Sequence, residues 1–284
     1  MVTVRKATLD LFDQIHPLLL HFRDARLDRD QWRRLLSRRW SRHHDHCGYV
    51  LMKEGRVVGF LGTLFFERAM DGTEHRFCDL FCWIVPPEHR HHSLLLLFPV
   101  LKLQQTTVMS LTPSQEASVI LAKFGFRVLE THRVILPFLP LPVRHRGMRL
   151  VREPEEVRRR LRGQDLVLLR DHEQTGCHHL LLEAEGGAEC YIVANTIRKK
   201  GIPFTQVYHL GDPALFTRGL PLLQRFFLRR DHTLFTLVDR RLLAGCRPRP
   251  AHEQTLRYPR LYRPAVPEPA RIDNLYSELL LLRQ

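Results

Sequence analysis

Lysine is scarce in this 284-residue chain: only six of its 44 basic residues are lysine, and the rest are arginine. Cysteine is scarce too, with six residues at 47, 78, 82, 177, 190 and 246 and no Cys-x-x-Cys spacing. That excludes a disulfide framework and points to a reducing cytoplasm. Cys78 and Cys82 fall in a strand-like stretch, where buried thiols act mostly as small hydrophobes. No apolar run approaches the roughly 20 residues of a membrane span, since 94–103 and 279–282 are far shorter. The first residues lack the apolar stretch of a secretory signal, which predicts no export. The 15 glycines and 18 prolines show no period, which removes collagen-like and low-complexity readings.

What remains is the composition of a folded protein, 44% hydrophobic and 26% charged, long enough for about two domains. The net charge of +14 would attract phosphate-rich partners. Arginine is spread along the chain, however, and no nucleic-acid recognition motif accompanies it, so nucleic-acid binding is the lesser alternative.

Periodicity predicts a strand at 2–7, a helix carrying Leu11, Ile15, Leu18, Leu19 and Phe22, and a second helix over 30–40. A hairpin follows over 49–66 with its turn at 53–56, then a turn at Asp71 and Gly72 and a strand over 76–85. Pro86 and Pro87 end that strand, and 93–105 reads as a buried apolar helix. A strand at 106–111, a helix at 114–123 closed by Gly125 and a strand at 127–138 complete the first half. The proline-rich segment 140–148 is the expected linker between domains 1–139 and 149–284. Beyond it, a hairpin over 178–194, a strand at 204–210, a helix at 215–230 and a strand at 233–238 repeat the order of 49–111, as a diverged duplication would. The segment 275–282 reads as the last strand of the second domain, and an exposed edge there would make it a dimerisation strand.

Seventeen histidines invite a metal reading, and His43, His44, Asp45 and His46 have suitable ligand types. They sit in a polar loop with no identifiable distant partner, so a surface loop is the better reading and no metal is expected.

The first half resembles the GNAT superfamily of acyltransferases, on the strength of the stretch from Trp83 through Ile84, Val85, Pro86, Pro87, Glu88 and His89 to Arg90, and of the stretch 122–126 ending in Gly125 and Phe126. The resemblance implies an α/β (α+β) fold of two tandem GNAT-like domains, each a mixed, mostly antiparallel twisted sheet flanked by helices, the second degenerate. It also implies acyl transfer from acetyl-CoA or a longer acyl-CoA to the amine of a small molecule or sugar. Ile84 and Val85 would then bind the pantetheine amides, and Arg90, His91, His92, Ser93, Leu94 and Leu95 would form the pyrophosphate loop at a helix start. The family's loop glycines are all replaced here, and its usual tyrosine acid corresponds to Leu121. Asp79, on the strand leading into the loop, is the first candidate for general base and Glu67 the second. The plainer reading of both is a salt-bridged or solvated sheet residue. Two alternatives stand beside the acyltransferase: a non-catalytic GNAT-like binding or assembly protein, and an aminoacyl-tRNA-dependent transferase.

Overall fold

The computed structural model describes residues 1–22, 27–38, 40–70, 72–140, 147–265 and 268–282. The first half runs β1 (Val2–Ala7), α1 (Phe12–Leu19), α2 (Arg29–Ser37), β2 (Gly48–Lys53), β3 (Arg56–Met70), β4 (Thr73–Ile84), α3 (Phe98–Leu101), β5 (Thr106–Ser110), α4 (Gln115–Lys123) and β6 (Arg127–Pro137). The second runs β7 (Met148–Val151), α5 (Pro154–Arg160), α6 (Gly163–His172), β8 (His178–Ala184), β9 (Glu189–Lys199), β10 (Ile202–Leu210), α7 (Pro213–Asp231), β11 (Phe235–Asp239), β12 (His252–Arg263) and α8 (Glu278–Leu281). Of the expected turn at Asp71 and Gly72, Asp71 lies outside the described residues, as do 141–146 of the expected linker.

Local chemistry accounts for most of these elements. Asp28 caps α2, accepting from the Gln31 N–H at 2.7 Å while the Gln31 side chain accepts from the Asp28 N–H at 2.8 Å. Between β2 and β3 both Glu54 (φ 52°) and Gly55 (φ 77°) are left-handed, the geometry of a two-residue hairpin turn that follows sheet twist. Ser114 caps α4 by accepting from the Ala117 N–H at 3.1 Å.

The chain folds as two compact units. Unit 1 comprises Met1–Leu129, Tyr258–Pro267 and Tyr276–Leu282. Its sheet order is β1-β2-β3-β4-β5, with the end of β12 antiparallel to β5 through the pairs Leu261↔Ser110 to Arg263↔Val108. Strand side chains alternate between two cores. Val50, Met52, Phe60 and Leu64 join Phe12, Ile15, Trp32 and Leu36 on the face of α1 and α2. Tyr49, Leu51, Leu61 and Phe65 join Leu96, Leu97, Val100 and Leu121 on the other. Both faces are covered, so these strands read as continuous apolar runs.

Unit 2 comprises Glu130–Arg257, Glu268–Leu275 and Arg283–Gln284. Its order is β7-β8-β9-β10-β11, with β6 antiparallel to β11 from Phe235↔Pro137 to Asp239↔Arg133. In each unit the fourth and fifth strands are parallel, β4 with β5 and β10 with β11, and the other pairs given by the two sheets are antiparallel. Tyr258–Pro267 and Tyr276–Leu282, late in the sequence, thus belong with the early strands. The segment 275–282, expected as the last strand of the second domain, instead carries the short helix α8, and Tyr276–Leu282 belongs to unit 1: Glu278, Leu279 and Leu280 are buried, and Leu281 and Leu282 pack against the α1 and α2 core. So short an apolar run takes its conformation from the surface it covers. Among the described residues no helix is long and apolar enough to cross a membrane.

Gly48 opens β2 at φ 157°, and a Cβ there would lie 2.2 Å from the Leu61 carbonyl oxygen, a backbone atom that cannot swing aside. Gly48→Ala should therefore cost about 2 kcal/mol of unfolding free energy, read from the urea midpoint; an unchanged midpoint would show that β2 and β3 separate freely there.

Candidate active site

The geometry of unit 1 is set by β4. It pairs with β3 as far as Phe60↔Ile84 but with β5 only from Arg76↔Thr106 to Asp79↔Met109. Beyond Asp79 the two parallel strands part. The β3 register shifts between Phe60 and Gly62, and Cys82 takes φ 49°, a bulge that re-aims the strand end. Gly62 permits this, since a Cβ there would meet the Phe81 ring at 2.5 Å.

After Val85 and Pro86 the chain winds as a 3-10 helix over Pro87–Leu96 and becomes α-helical only at Phe98–Leu101. The regular helix expected over 93–105 is not formed, and Pro99 is the reason. In an α-helix begun at Ser93 it would lie in the interior, with no N–H to give and its ring against the Leu95 carbonyl. By restarting the helix at Phe98, the chain leaves Pro99 in a first turn. Of the loop residues, Arg90, His91 and Leu94 are exposed, Ile84, His92, Ser93 and Leu95 are half-buried, and Val85 is buried. The His91 and His92 rings lie 4.0 Å apart. Desolvation, then the neighbouring His91 and His89, hold His92 below the ordinary imidazole range.

Asp79 is wholly buried. Its Oδ2 accepts from the Glu278 backbone N–H at 3.3 Å, while its Oδ1 and the Oε2 of Glu278 are buried with no hydrogen-bond partner among the described residues. Glu278 is also buried, with its Oε1 accepting from Thr112 Oγ1 at 2.5 Å. Arg260 is the nearby cation and donates through Nη1 to the Leu111 carbonyl at 3.0 Å. Burial first, then Glu278, push Asp79 well above the usual carboxylate range. Neighbouring carboxyls resist joint ionisation, so Asp79, the one whose range is raised, is the one that holds its proton as pH rises. Tyr276 anchors the same C-terminal segment, stacked on Phe66 at 4.4 Å and edge-on to Trp40 at 5.1 Å.

Glu67 stands elsewhere. It pairs across the ladder with Arg76, six residues before Cys82 on β4, or about 20 Å along an extended strand. It is half-buried and accepts from Ser41 Oγ at 2.5 Å, while Ser41 Oγ lies 3.3 Å from His44 Nδ1. His44 is stacked on Phe65 with centroids 3.7 Å apart. The structure does not bring Asp79 and Glu67 together. Nor do the loop histidines converge: His43 is exposed, His44 covers Phe65, and His46 is buried beside Tyr49 and pushed down to about 4, mainly by burial. Among the described residues no group of three or more His, Cys, Asp or Glu is arranged to hold a metal ion.

At the corresponding place in unit 2 the helix start is occupied by the chain itself. Asp212 Oδ1 accepts from the N–H groups of Ala214 and Leu215, both at 2.9 Å, and Pro213 has no N–H to offer. Nearby, His209 Nδ1 lies 2.8 Å from Asp273 Oδ2. Sequence reasoning missed Glu278, Thr112 and Arg260. Glu278 is separated from Asp79 by 199 positions, and no spacing rule links residues so far apart.

No protein-family model matches the sequence, and no curated protein matches it. Solved structures do. A GCN5-related N-acetyltransferase from Anabaena variabilis is similar over 94% of this chain and 73% of that one, with TM-score 0.61 and 12% identity. One from Kribbella flavida gives TM-score 0.59 and 17% identity over 93% and 72%. A tandem GNAT protein from the clavulanic acid biosynthesis pathway gives TM-score 0.52 and 12% identity over 94% of this chain and all of its own. The fold is that of the GCN5-related N-acetyltransferases, in the tandem, mixed and mostly antiparallel form.

The buried carboxyl gives a pH signature. An Asp whose folded pKa is raised contributes stability that is fully present below its unfolded value, about 3.9, and is lost as pH rises through the folded value. Asp79→Asn removes that loss. The melting temperature of the variant relative to the parent should rise from about pH 5 to about pH 8. A difference independent of pH would mean that Asp79 ionises in the folded protein as it does in water.

Proposed function

Starting from the GCN5-related N-acetyltransferase fold, we propose that the chain is a cytoplasmic acyl-CoA-dependent N-acyltransferase, with unit 1 holding the donor and an amine-bearing small molecule or sugar as acceptor. The observation that carries this reading is the parting of β4 from β5 beyond Asp79, with the bulge at Cys82 leading into Ile84 and Val85. A strand end without a neighbour on one side accepts an extended amide chain, such as pantetheine, as an added strand. Arg90, His91, His92 and Ser93 follow directly, and their side chains supply the phosphate contacts that backbone amides supply in a glycine loop. The family loop cradles phosphate through close backbone approach, whereas this one presents cationic and hydroxyl side chains.

In the reaction the amine nitrogen attacks the thioester carbonyl carbon, the C–S bond breaks, and the thiolate leaves with a proton while the nitrogen gives one up. We assign the proton uptake to the Asp79–Glu278 pair. Asp79 is three residues before the bulge, and burial and the neighbouring Glu278 raise its carboxyl above the usual range, which makes its carboxylate a stronger base than a free one. Glu67, about 20 Å along the strand from Cys82, is out of reach of a thioester seated there. Access to Asp79 requires the segment Tyr276–Leu282 to lift from β3 and β4.

The burial of Asp79 beneath Glu278 also favours a second reading, a non-catalytic binding or assembly module. Calorimetric titration with acetyl-CoA and with a long-chain acyl-CoA separates the two. The acyltransferase reading expects micromolar binding that Arg90→Ala weakens by about tenfold or more. Because imidazolium binds phosphate better than imidazole does, binding takes up protons, and with His92 held below the ordinary imidazole range affinity should rise as pH falls from about 7 to about 5. Asp79→Asn should then lower kcat by about a hundredfold with coenzyme affinity retained. Failure of both coenzymes to bind would establish the non-catalytic reading.

A further inference from the structure

Unit 2 contains a cavity of about 890 Å³ between β7, the turn into α5 and the C-terminal half of α7. That is within the size range of small-ligand sites, roughly 300–1,000 Å³. Five guanidinium groups line it, those of Arg149, Arg152, Arg225, Arg229 and Arg230, against the single carboxylate of Glu153. Its floor is apolar, from Met148, Leu150, Leu222 and Phe226.

The charges are unequally answered. Arg149 is fixed by Glu156 at 2.7 Å and Glu183 at 3.0 Å. Arg152 reaches Glu153 only at 3.7 Å and Arg230 reaches Asp231 only at 3.9 Å, both through Nε and with the arginines exposed, so these pairs neutralise little. Arg229 has no carboxylate partner among the described residues. Arg225 and Arg229 stand one helical turn apart on α7, where like charges repel. The fold gains nothing from concentrating cations around an apolar floor, but a polyanion with an apolar body would.

We propose that this cavity binds a nucleoside di- or triphosphate. The guanidinium forks of Arg225, Arg229 and Arg152 match phosphate oxygens in pairs, and Phe226, half-buried with its ring 5.8 Å from that of His178, offers a face to a base. A bare polyphosphate would leave the floor wet, and a nucleoside alone would leave the exposed Arg229 without a counter-charge. The site is independent of the coenzyme loop, because every lining residue belongs to unit 2.

The test is calorimetry on the full chain with ATP, pyrophosphate and adenosine as separate probes. One ATP should bind per chain, with pyrophosphate and adenosine each weaker by about tenfold or more. The double variant Arg225→Ala/Arg229→Ala should weaken ATP by at least about tenfold, and Arg90→Ala should leave it unchanged. Should the double variant melt early, Arg229→Glu, at an exposed position, replaces it with a loss of about fivefold or more expected. ATP binding abolished by Arg90→Ala and indifferent to the unit 2 variants would overturn the proposal by assigning the nucleotide to the coenzyme loop. Absence of ATP binding at millimolar concentration would overturn it directly. So would a short single-stranded RNA that binds more tightly than ATP with the same arginine dependence, because the surface would then be a polymer site.

Discussion

Strands that are apolar on both sides leave the sheet of unit 1 no face it can show to water, and that constraint arranges most of what surrounds it. One face takes α1 and α2, and the other takes α4 and the 3-10 segment before α3. The C-terminal segment supplies further cover: Tyr276 lies flat on Phe66, itself stacked on Phe77, and Leu281 and Leu282 extend the α1 and α2 core. Aromatic stacks of this kind contribute about 1 kcal/mol each beyond the area they bury, enough to hold a short segment in one register.

Covering the sheet in this way has an electrostatic consequence. A carboxylate on a central strand is tolerable if water reaches it, but Asp79 is sealed by the same segment that completes the core. Glu278 is the partner that segment brings, its backbone N–H bonding the Asp79 carboxyl, and a buried carboxyl that keeps its proton costs far less than a buried charge. Arg260, from the strand end beside β5, tempers the remaining charge. Proton-holding capacity thus sits three residues before the bulge at Cys82, where β4 has parted from β5.

The two halves of the chain share a strand plan but differ at the helix start that follows the fourth strand. In unit 1 a proline at 99 delays the α-helix and leaves histidines, a serine and an arginine ahead of it. In unit 2 a long helix begins at once, and Asp212 fills its amide groups. An amide pair already satisfied by a carboxylate has no call on an external phosphate. The anion-binding capacity of unit 2 lies at the other end of α7, where arginines gather.

Most of the scaffold was legible in the sequence, because it is local. Alternation over 49–66 with Glu54 and Gly55 in the turn specifies a hairpin, Asp28 with Gln31 specifies a helix start, and the repeat of hairpin, strand, helix and strand specifies the tandem plan. The strand β12 was not legible: it carries Pro259 and three arginines, and its pattern is that of a strand whose neighbours lie far back in the sequence. Pro99 was there to be read and decides how the segment Pro87–Leu96 winds. The sequence by itself determined the strand and helix order and the missing loop glycines, since both follow from side-chain sterics over a few residues. Only the tertiary structure decided that Asp79 meets Glu278, that Glu67 stands far along the strand, and that five arginines share one cavity. Those depend on which distant segments cover which sheet face, a choice made by the burial of apolar surface in the whole fold rather than by any residue's neighbours in the chain.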